Sequence, residues 1–113
     1  MAKRVLVIDD HRDSLEALRT LLELHGYEVQ AADDGESGVE MARVFFPDVI
    51  VCDIAMPGFD GLTVARTLRS DPRFRSVRMI AFSSYDVPDT ARSAGFDVSL
   101  LKSERFDRLL ALL

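Results

Sequence analysis

The spacing of apolar residues changes along the chain between a strand-like and a helical repeat. Residues 4–9 and 48–53 are continuous apolar runs of strand length, a pattern typical of strands buried on both faces. The leucines of residues 13–25 recur instead at helical intervals. The predicted strands cover 4–9, 27–32, 48–53, 77–82 and 98–101. The predicted helices cover 13–25, 36–46, 61–70, 88–94 and 106–113.

Strands that alternate with helices predict a parallel sheet covered by helices on both faces, joined by right-handed crossovers. We therefore expect an α/β, doubly wound domain. Residues 27–32 are short and mixed in polarity, which is typical of a strand at the edge of a sheet. Asp60 is positioned to cap the third helix, and Phe46, at the end of the second, is expected in the core. At 113 residues, the chain is expected to form one domain, 1–113.

The charge of the chain narrows the possible classes of function. Fourteen basic and nineteen acidic residues give a net charge of −5, which disfavours a nucleic-acid-binding face and favours cations as ligands. The single cysteine, Cys52, excludes an internal disulfide framework and is expected to be a small buried residue. No segment has the length and apolarity of a membrane span or a signal peptide. We therefore expect a cytoplasmic domain that binds neither nucleic acid nor membrane directly.

Side chains suited to chemistry follow four of the five predicted strands. In a doubly wound sheet, ligands bind beyond the carboxyl ends of the strands. The first strand leads to Asp9 and Asp10, the third to Asp53, the fourth to Ser83 and the fifth to Lys102. Taken alone, an Asp pair before a leucine-rich helix is more often a helix cap. Together with the residues after the other strands, it favours a pocket for a metal ion and a phosphoryl group.

Carboxylates brought together raise each other's pKa by repulsion unless a cation offsets their charge. Mg²⁺ suits such a pocket, because it prefers oxygen ligands and commonly binds one or two carboxylates together with phosphate oxygens. The candidate ligands are oxygen donors beyond strand ends: the carboxylates of Asp10 and Asp53, that of Asp9 either directly or through water, and the backbone carbonyl of Ala55. Lys102 and Ser83 could then bond a phosphoryl group, with Asp53 as the nucleophile.

Four motifs surround these candidate residues. They are Val-Leu-Val-Ile-Asp-Asp at 5–10, Asp-Val-Ile-Val-Cys-Asp-Ile-Ala-Met-Pro-Gly-Phe-Asp-Gly at 48–61, Ile-Ala-Phe-Ser-Ser at 80–84 and Gly-Phe-Asp-Val-Ser-Leu-Leu-Lys at 95–102. In this order and spacing they resemble the receiver domain of bacterial two-component response regulators, with a layout similar to that of the single-domain chemotaxis regulator. The resemblance covers residues 4–113 and implies a flavodoxin-like receiver fold, with five parallel strands in the order 2-1-3-4-5.

The same resemblance implies a function in a phosphorelay. Asp53 would accept a phosphoryl group from a histidine kinase or phosphotransfer protein and so switch binding to a downstream protein or effector domain. Mg²⁺ would be held by Asp10 and Asp53 with the help of Asp9, and Lys102 and Ser83 would bond the phosphoryl oxygens. Such a chain is no enzyme in the usual sense, because it catalyses only its own phosphoryl transfer and autodephosphorylation.

Three positions bear on how such a switch would work. Ser99, three residues before Lys102, stands where the family usually has Tyr or Phe that moves inward when the counterpart of Ser83 engages phosphate. Ser103 replaces the proline that usually follows a commonly cis bond in the family. A cis bond before a non-proline residue costs about 2.5 to 4 kcal/mol, so we expect a bond that is either trans or strained. Tyr85 either tunes dephosphorylation from the rim of the pocket or is a plain surface residue.

Other functions compete with this interpretation. Ser99 and Ser103 also fit an interaction module that keeps the fold but is not switched by phosphorylation. A phosphatase with an Asp nucleophile would need a second acid two residues after Asp53, and Ala55 stands there. His11 is expected at the surface, where it could line the entrance of the pocket.

Overall fold

Strands and helices alternate along the chain in a computed structural model that describes residues 2–85, 87–103 and 106–113. Within these residues the strands are β1 (Arg4–Ile8), β2 (Glu28–Ala32), β3 (Val49–Cys52), β4 (Arg78–Ser83) and β5 (Val98–Leu101). The α-helices there are α1 (Arg12–Leu24), α2 (Gly35–Phe45), α3 (Gly61–Arg69), α4 (Pro88–Ala94) and α5 (Phe106–Leu110). A short 3₁₀ helix, Pro72–Phe74, lies between α3 and β4.

All five strands lie in one parallel sheet in the order β2-β1-β3-β4-β5. The doubly wound fold and the strand order 2-1-3-4-5 are therefore confirmed. β2 is an edge strand, as its mixed polarity predicts, and β3 is buried along its whole length. β1 is buried from Val5 onward. The continuous apolar runs thus belong to strands that have neighbours on both sides and helices on both faces.

The sheet separates two apolar clusters. Val5 and Val7 of β1 contribute to one cluster, whereas Leu6 and Ile8 contribute to the other, because alternate residues of a strand face opposite sides. The first cluster includes helix residues from α1 and α5: Leu15, Leu18, Leu22 and Leu109. The second includes residues from α2, α3 and α4: Val39, Ala42, Val64, Ala65, Leu68, Ala91 and Ala94. None of the helices in the described residues is long and apolar enough to cross a membrane.

One phenylalanine departs from the sequence expectation, and another is buried in an element that was not predicted. Phe46 is 51% exposed, so its prediction as a core residue is wrong. It directly follows α2 with a left-handed φ of 51°, and this turn carries its side chain away from the inner face of the helix. Its ring stacks on Phe74 with centroids 6.5 Å apart. Phe74 itself is 1% exposed, in a 3₁₀ helix that the apolar pattern did not reveal.

Arg69, near the end of α3, joins several segments at the amino-terminal side of β4 and β5. Its guanidinium donates hydrogen bonds of 2.7 to 2.9 Å to the carbonyl oxygens of Phe74, Val77 and Gly95 and to the carboxylate of Asp97. Gly95 ends α4 with a φ of 125°, and a Cβ there would lie 2.5 Å from Cγ of Arg69. The turn from α4 into β5 is therefore fixed both by its backbone conformation and by the hydrogen bonds of Arg69.

Candidate functional site

The register of the sheet places two carboxylates side by side at its carboxyl edge. Ile8 of β1 pairs with Cys52 of β3, so Asp9 and Asp53 follow neighbouring strands at the same height. The backbone N–H of Asp53 donates to the carbonyl oxygen of Ile8 at 2.8 Å, which continues the ladder past the ends of both strands. Both side chains are buried, with 6% of Asp9 and 2% of Asp53 exposed. The structure thus brings these two acidic side chains together.

Lys102 reaches the same edge from the last strand. Its Nζ lies 2.7 Å from Oδ2 of Asp9 and 3.3 Å from Oδ2 of Asp53, so one ammonium group bridges both carboxylates. The backbone N–H of Lys102 donates to the carbonyl oxygen of Ser83 at 2.7 Å, which fixes the start of the side chain beside the end of β4. Only 17% of the Lys102 side chain is exposed. The ion pairs are therefore largely shielded from solvent.

Asp10 and His11 complete the cluster. Nδ1 of His11 lies 3.2 Å from Oδ1 of Asp9, 3.2 Å from Oδ1 of Asp10 and 3.6 Å from Oδ2 of Asp53. The backbone N–H of His11 also donates to Oδ1 of Asp9 at 2.9 Å. His11 is the N-cap of α1 and makes no side-chain capping bond. The Asp pair therefore does not cap this helix, and its side chains belong to the pocket.

The pocket holds more negative than positive charge. In the described part of the chain, the cluster contains three carboxylates, and one ammonium group, that of Lys102, bonds two of them. Among the described residues, Oδ1 of Asp10 and Oδ1 of Asp53 are buried without a hydrogen-bond partner. Ligand atoms of Asp9, Asp10, His11 and Asp53 lie within 4.8 Å of one another. Because a buried carboxylate oxygen without a partner is costly and Mg²⁺ prefers oxygen donors, the residues present fit a divalent cation.

Burial and neighbouring charges shift the pKa values of the site. Burial raises the pKa of Asp53 above its ordinary value of 3.8; Lys102 opposes this rise and the charge of Asp9 adds to it. Burial lowers the pKa of Lys102, but its hydrogen bond to Asp9 and the charges of both carboxylates outweigh that effect and raise it overall. Burial, followed by the charges of Asp53 and Asp9, raises the pKa of the Cys52 thiol well above its usual range. Cys52 is therefore a protonated, buried side chain, as predicted.

The loop after β3 is held close to Asp53 by a glycine and a helix cap. The N–H of Gly61 donates to the carbonyl oxygen of Ile54 at 2.9 Å. Oδ1 of Asp60 accepts the N–H of Thr63 at 2.9 Å, which confirms the predicted cap of α3. A Cβ on Gly61 would overlap the carbonyl oxygen of Asp53. Only glycine fits there without moving the backbone of Asp53.

Three other predicted site residues lie at the end of β4 or in the segments that follow β3 and β4. Ser83 ends β4, is fully buried, and its Oγ accepts the N–H of Tyr85 at 3.4 Å. Ala55 lies in the loop after β3 and is half-buried. It lines an open groove of about 460 Å³ together with Tyr85, which is half exposed. The Tyr85 side chain therefore lies along this groove, whereas the Ser83 side chain is buried at the end of β4.

Ser99 and Ser103, the two serines expected to bear on the switch, lie in or just after β5. Ser99 is half-buried in this edge strand, paired with Ala81 of β4. With Ala91 of α4 and Phe96, it lines a groove of about 300 Å³. No cis peptide bond occurs among the described residues, so the bond between Lys102 and Ser103 is trans. The sequence left open whether this bond is trans or strained, and the structure shows the trans bond.

Two residues contribute more to the pocket than the sequence indicates. His11 is exposed over 61% of its side chain, as expected of a surface residue, yet its Nδ1 lies among the carboxylates. Its one sequence signal is its place directly after the Asp pair. Gly61 packs on the backbone of Asp53, a contact signalled only by a glycine that follows the cap residue Asp60.

The sequence matches the family model of the response regulator receiver domain over residues 5–113. It is 38% identical over 86 residues to the response regulator PleD of Caulobacter vibrioides, a match covering 76% of this chain and 19% of that protein. It is 36% identical over 83 residues to protein PilH of Pseudomonas aeruginosa, covering 74% of this chain and 69% of PilH. The chain thus spans about a fifth of the length of PleD.

Solved structures share the whole fold. The chemotaxis protein CheY4 of Vibrio cholerae superposes with a TM-score of 0.92 at 23% identity, covering 99% of this chain and 96% of that one. A putative response regulator from Chloroflexus aurantiacus gives a TM-score of 0.92 at 26% identity, covering 99% and 94%. The likeness extends to elements of both faces of the sheet, because almost the entire chain is superposed.

Proposed function

The chain belongs to the family of response regulator receiver domains, and we propose that it is a switch operated by phosphorylation of Asp53. Receiver domains are signalling modules that interact with histidine kinases or phosphotransfer proteins and with effector domains. The proposed phosphoryl donor is therefore the phosphohistidine of such a partner. The proposed output is altered binding to a downstream protein or effector domain.

The observation that carries this proposal is the burial of the Asp53 carboxylate, together with its contacts. It is buried, its Oδ2 lies 3.3 Å from the ammonium of Lys102, and its Oδ1 accepts no hydrogen bond from the described residues. A carboxylate oxygen without a hydrogen bond keeps its lone pairs available for attack. The nearby ammonium group is suited to bonding the oxygens of an incoming phosphoryl group.

The proposed transfer uses groups that are present at the carboxyl edge of the sheet. A carboxylate oxygen of Asp53 attacks phosphorus, so an O–P bond forms while the P–N bond of the donor breaks and leaves its electron pair on the imidazole nitrogen. Lys102 and Ser83 bond the phosphoryl oxygens. Later attack by water restores the carboxylate and releases inorganic phosphate. Because the chain turns over only its own phosphoryl group, we class it as a signalling module rather than an enzyme.

Mg²⁺ is the proposed cofactor. Asp10 and Asp53 would hold it, with Asp9 as a ligand directly or through water and the carbonyl oxygen of Ala55 as a further donor. Bound there, the ion would offset the charge of the phosphoryl oxygens. The buried oxygens of Asp10 and Asp53 that lack partners support this assignment, since Lys102 satisfies only Asp9 and one oxygen of Asp53.

The proposed switch runs through Ser83, Tyr85 and α4. Ser99 is too small to act as the inward-moving aromatic of the family, so a different element must carry the signal. The hydrogen bond between Oγ of Ser83 and the N–H of Tyr85 supports a link from the pocket to the segment that leads into α4. A phosphoryl group adds about −2 charge, enough to rearrange hydroxyl and backbone donors that lie beside it.

Phosphorylation by a small phosphodonor tests the proposal directly. After incubation with acetyl phosphate and Mg²⁺, intact-mass measurement should show one added phosphoryl group on the wild type and none on Asp53→Asn. Asp48→Asn is the matched control, because Asp48 directly precedes the same strand and is exposed, and its Oδ2 accepts the N–H of Arg4. This control should be phosphorylated like the wild type. A wild type that gains no mass, or an Asp53→Asn variant that gains it equally, would contradict the proposal.

A further inference from the structure

The imidazole of His11 is placed as part of the acidic cluster rather than beside it. Its Nδ1 is within 3.6 Å of an oxygen of each of the three aspartates. Only one of these contacts, to Oδ1 of Asp9, has the geometry of a hydrogen bond. The nitrogen therefore lies beside oxygens of all three aspartates, and its one hydrogen bond does not account for the other two contacts.

The distances from Nδ1 to the oxygens match those between ligands of a single ion. Nitrogen and oxygen ligands of small divalent ions lie about 2.1 Å from the metal, so two ligands at right angles are about 3.0 Å apart and tetrahedral ones about 3.4 Å. The observed distances are 3.2, 3.2 and 3.6 Å. All four ligand atoms lie within 4.8 Å of one another, so a small ion among them would draw the more distant oxygens inward.

A second observation points independently to a ligand beside Asp53. The Asp53 residue is 3% exposed, and its Oδ1 has no hydrogen-bond partner among the described residues. Within the described residues, three carboxylates lie together with one ammonium group, that of Lys102, so negative charge is in excess. A divalent cation would supply the missing partner and offset this charge.

We propose that His11 is a ligand of the bound cation through Nδ1, so that the pocket prefers transition-metal ions over Mg²⁺. Imidazole nitrogen favours ions such as Co²⁺, Ni²⁺ and Zn²⁺, whereas carboxylate, carbonyl and water favour Mg²⁺. With one nitrogen among oxygen donors, the site gains affinity for the transition metals and little for Mg²⁺. The inference rests on the cation site of the proposed function and names the residue that sets its selectivity.

The affinities of the pocket for Co²⁺ and for Mg²⁺ test its proposed selectivity. In protein without a tag, calorimetric titrations should give Co²⁺ a higher affinity than Mg²⁺, and His11→Ala should weaken Co²⁺ binding with little effect on Mg²⁺. We expect a loss of at least about tenfold for Co²⁺, since even outer-shell partners of metal ligands are worth about 10- to 100-fold. His25→Ala is the matched control, because His25 is the chain's other histidine and its Nδ1 contacts the carbonyl oxygen of Leu21. Tighter Co²⁺ binding by His11→Ala would show that the imidazole excludes the ion, and this result would overturn the inference.

Spectroscopy of the bound ion tests ligation itself. Pulsed electron paramagnetic resonance of the Mn²⁺-loaded protein should show coupling to an imidazole nitrogen in the wild type and in His25→Ala, and none in His11→Ala. If Mn²⁺ binds and Asp53 is phosphorylated while no nitrogen coupling is seen, this inference fails and the proposed function stands. If neither Mg²⁺ nor Mn²⁺ binds and Asp53 is not phosphorylated, both fail.

Discussion

Lys102 is the counter-charge of two carboxylates that the sheet holds together. Because β1 and β3 are paired up to Ile8 and Cys52, the backbones of Asp9 and Asp53 cannot separate without disrupting that register. The ammonium lies 2.7 Å from one carboxylate and 3.3 Å from the other. Its removal leaves two buried negative charges facing each other, and breaking a buried ion pair by removing one partner typically costs about 3 to 5 kcal/mol.

Replacement of this side chain should therefore destabilise the metal-free protein. We expect Lys102→Met to lower the free energy of unfolding by about 3 kcal/mol in chelator. Mg²⁺ should restore part of the loss, because an ion that binds only the folded state stabilises it by mass action. Urea denaturation with and without Mg²⁺ measures both effects.

Lys3→Met provides the control for this measurement. Lys3 is the chain's only other lysine, and its exposed Nζ donates to the carbonyl oxygen of Leu113. Surface ion pairs and hydrogen bonds contribute little, so this variant should lose no more than about 1 kcal/mol and should not respond differently to Mg²⁺. Equal losses for the two lysine variants would show that Lys102 does not compensate the buried carboxylates.

For individual residues, the sequence predicts which side chains lie at the carboxyl edge of the sheet better than it predicts their contacts. Asp9, Asp53 and Lys102 were predictable, because each follows a strand and the carboxyl ends of parallel strands share one edge of the sheet. The ring of His11 was not, because its orientation depends on side-chain torsions chosen among three neighbouring carboxylates. An apolar repeat carries no information on those torsions.

Helix α4 is the element least secured by apolar packing on its face of the sheet. Its buried residues are Ala91 and Ala94, which offer little side-chain surface to bury. Its carboxyl end is held differently, since Arg69 donates to the carbonyl oxygen of Gly95 and pairs with Asp97. Movement is therefore expected at the start of α4, next to Tyr85, and not at the turn into β5.

Hydrogen exchange with a phosphoryl mimic should reveal this difference between the start of α4 and the turn into β5. With beryllofluoride and Mg²⁺, amides of Tyr85 and the first turn of α4 should change their exchange rates, whereas Gly95 to Asp97 should change little. The physical reason is that the hydroxyl of Ser83, which accepts the N–H of Tyr85, would gain a new partner in the pocket. Asp53→Asn treated in the same way serves as the control and should show no change. Unchanged protection throughout residues 85–101 of the wild type would reject this route.

The elements themselves were largely predictable, and the exceptions have physical reasons. α4 and β5 have the predicted bounds, because Pro88 starts the helix and Gly95 stops it. The 3₁₀ helix Pro72–Phe74 escaped prediction because three residues are too few to show a repeat. The exposure of Phe46 follows from a left-handed backbone at a helix end, which the helical spacing of 36–46 does not reveal.

Across the whole molecule, the two apolar clusters stabilise the fold while the acidic pocket opposes it. The clusters lie on opposite faces of a sheet whose central strands are buried. The pocket at the carboxyl edge instead holds a buried carboxylate, Asp53, whose pKa is raised by burial and by Asp9 despite the opposing effect of Lys102. Its ionised form is therefore less favourable in the folded protein than in the unfolded chain.

The raised pKa of Asp53 determines how the stability of Asp53→Asn, relative to that of the wild type, depends on pH. A carboxyl whose pKa is raised on folding binds protons more tightly in the folded state, so its contribution to stability is lost as pH rises from its unfolded value through its folded value. Asp53→Asn cannot ionise and escapes this loss. In chelator, its melting temperature should exceed that of the wild type by an amount that grows as pH rises above 3.8, the ordinary value for Asp53, and then levels off.

Calorimetric melting in chelator at a series of pH values measures this difference. We expect a gain of a few degrees at neutral pH, since about 1 kcal/mol corresponds to about 4 to 8 °C in a domain of this size. Added Mg²⁺ should narrow the gap, because the wild type retains the carboxylate that the ion would bind and the variant does not. A gap that shrinks with rising pH in chelator, or a wild type that melts above Asp53→Asn at neutral pH, would show that Lys102 more than offsets the cost of the buried charge.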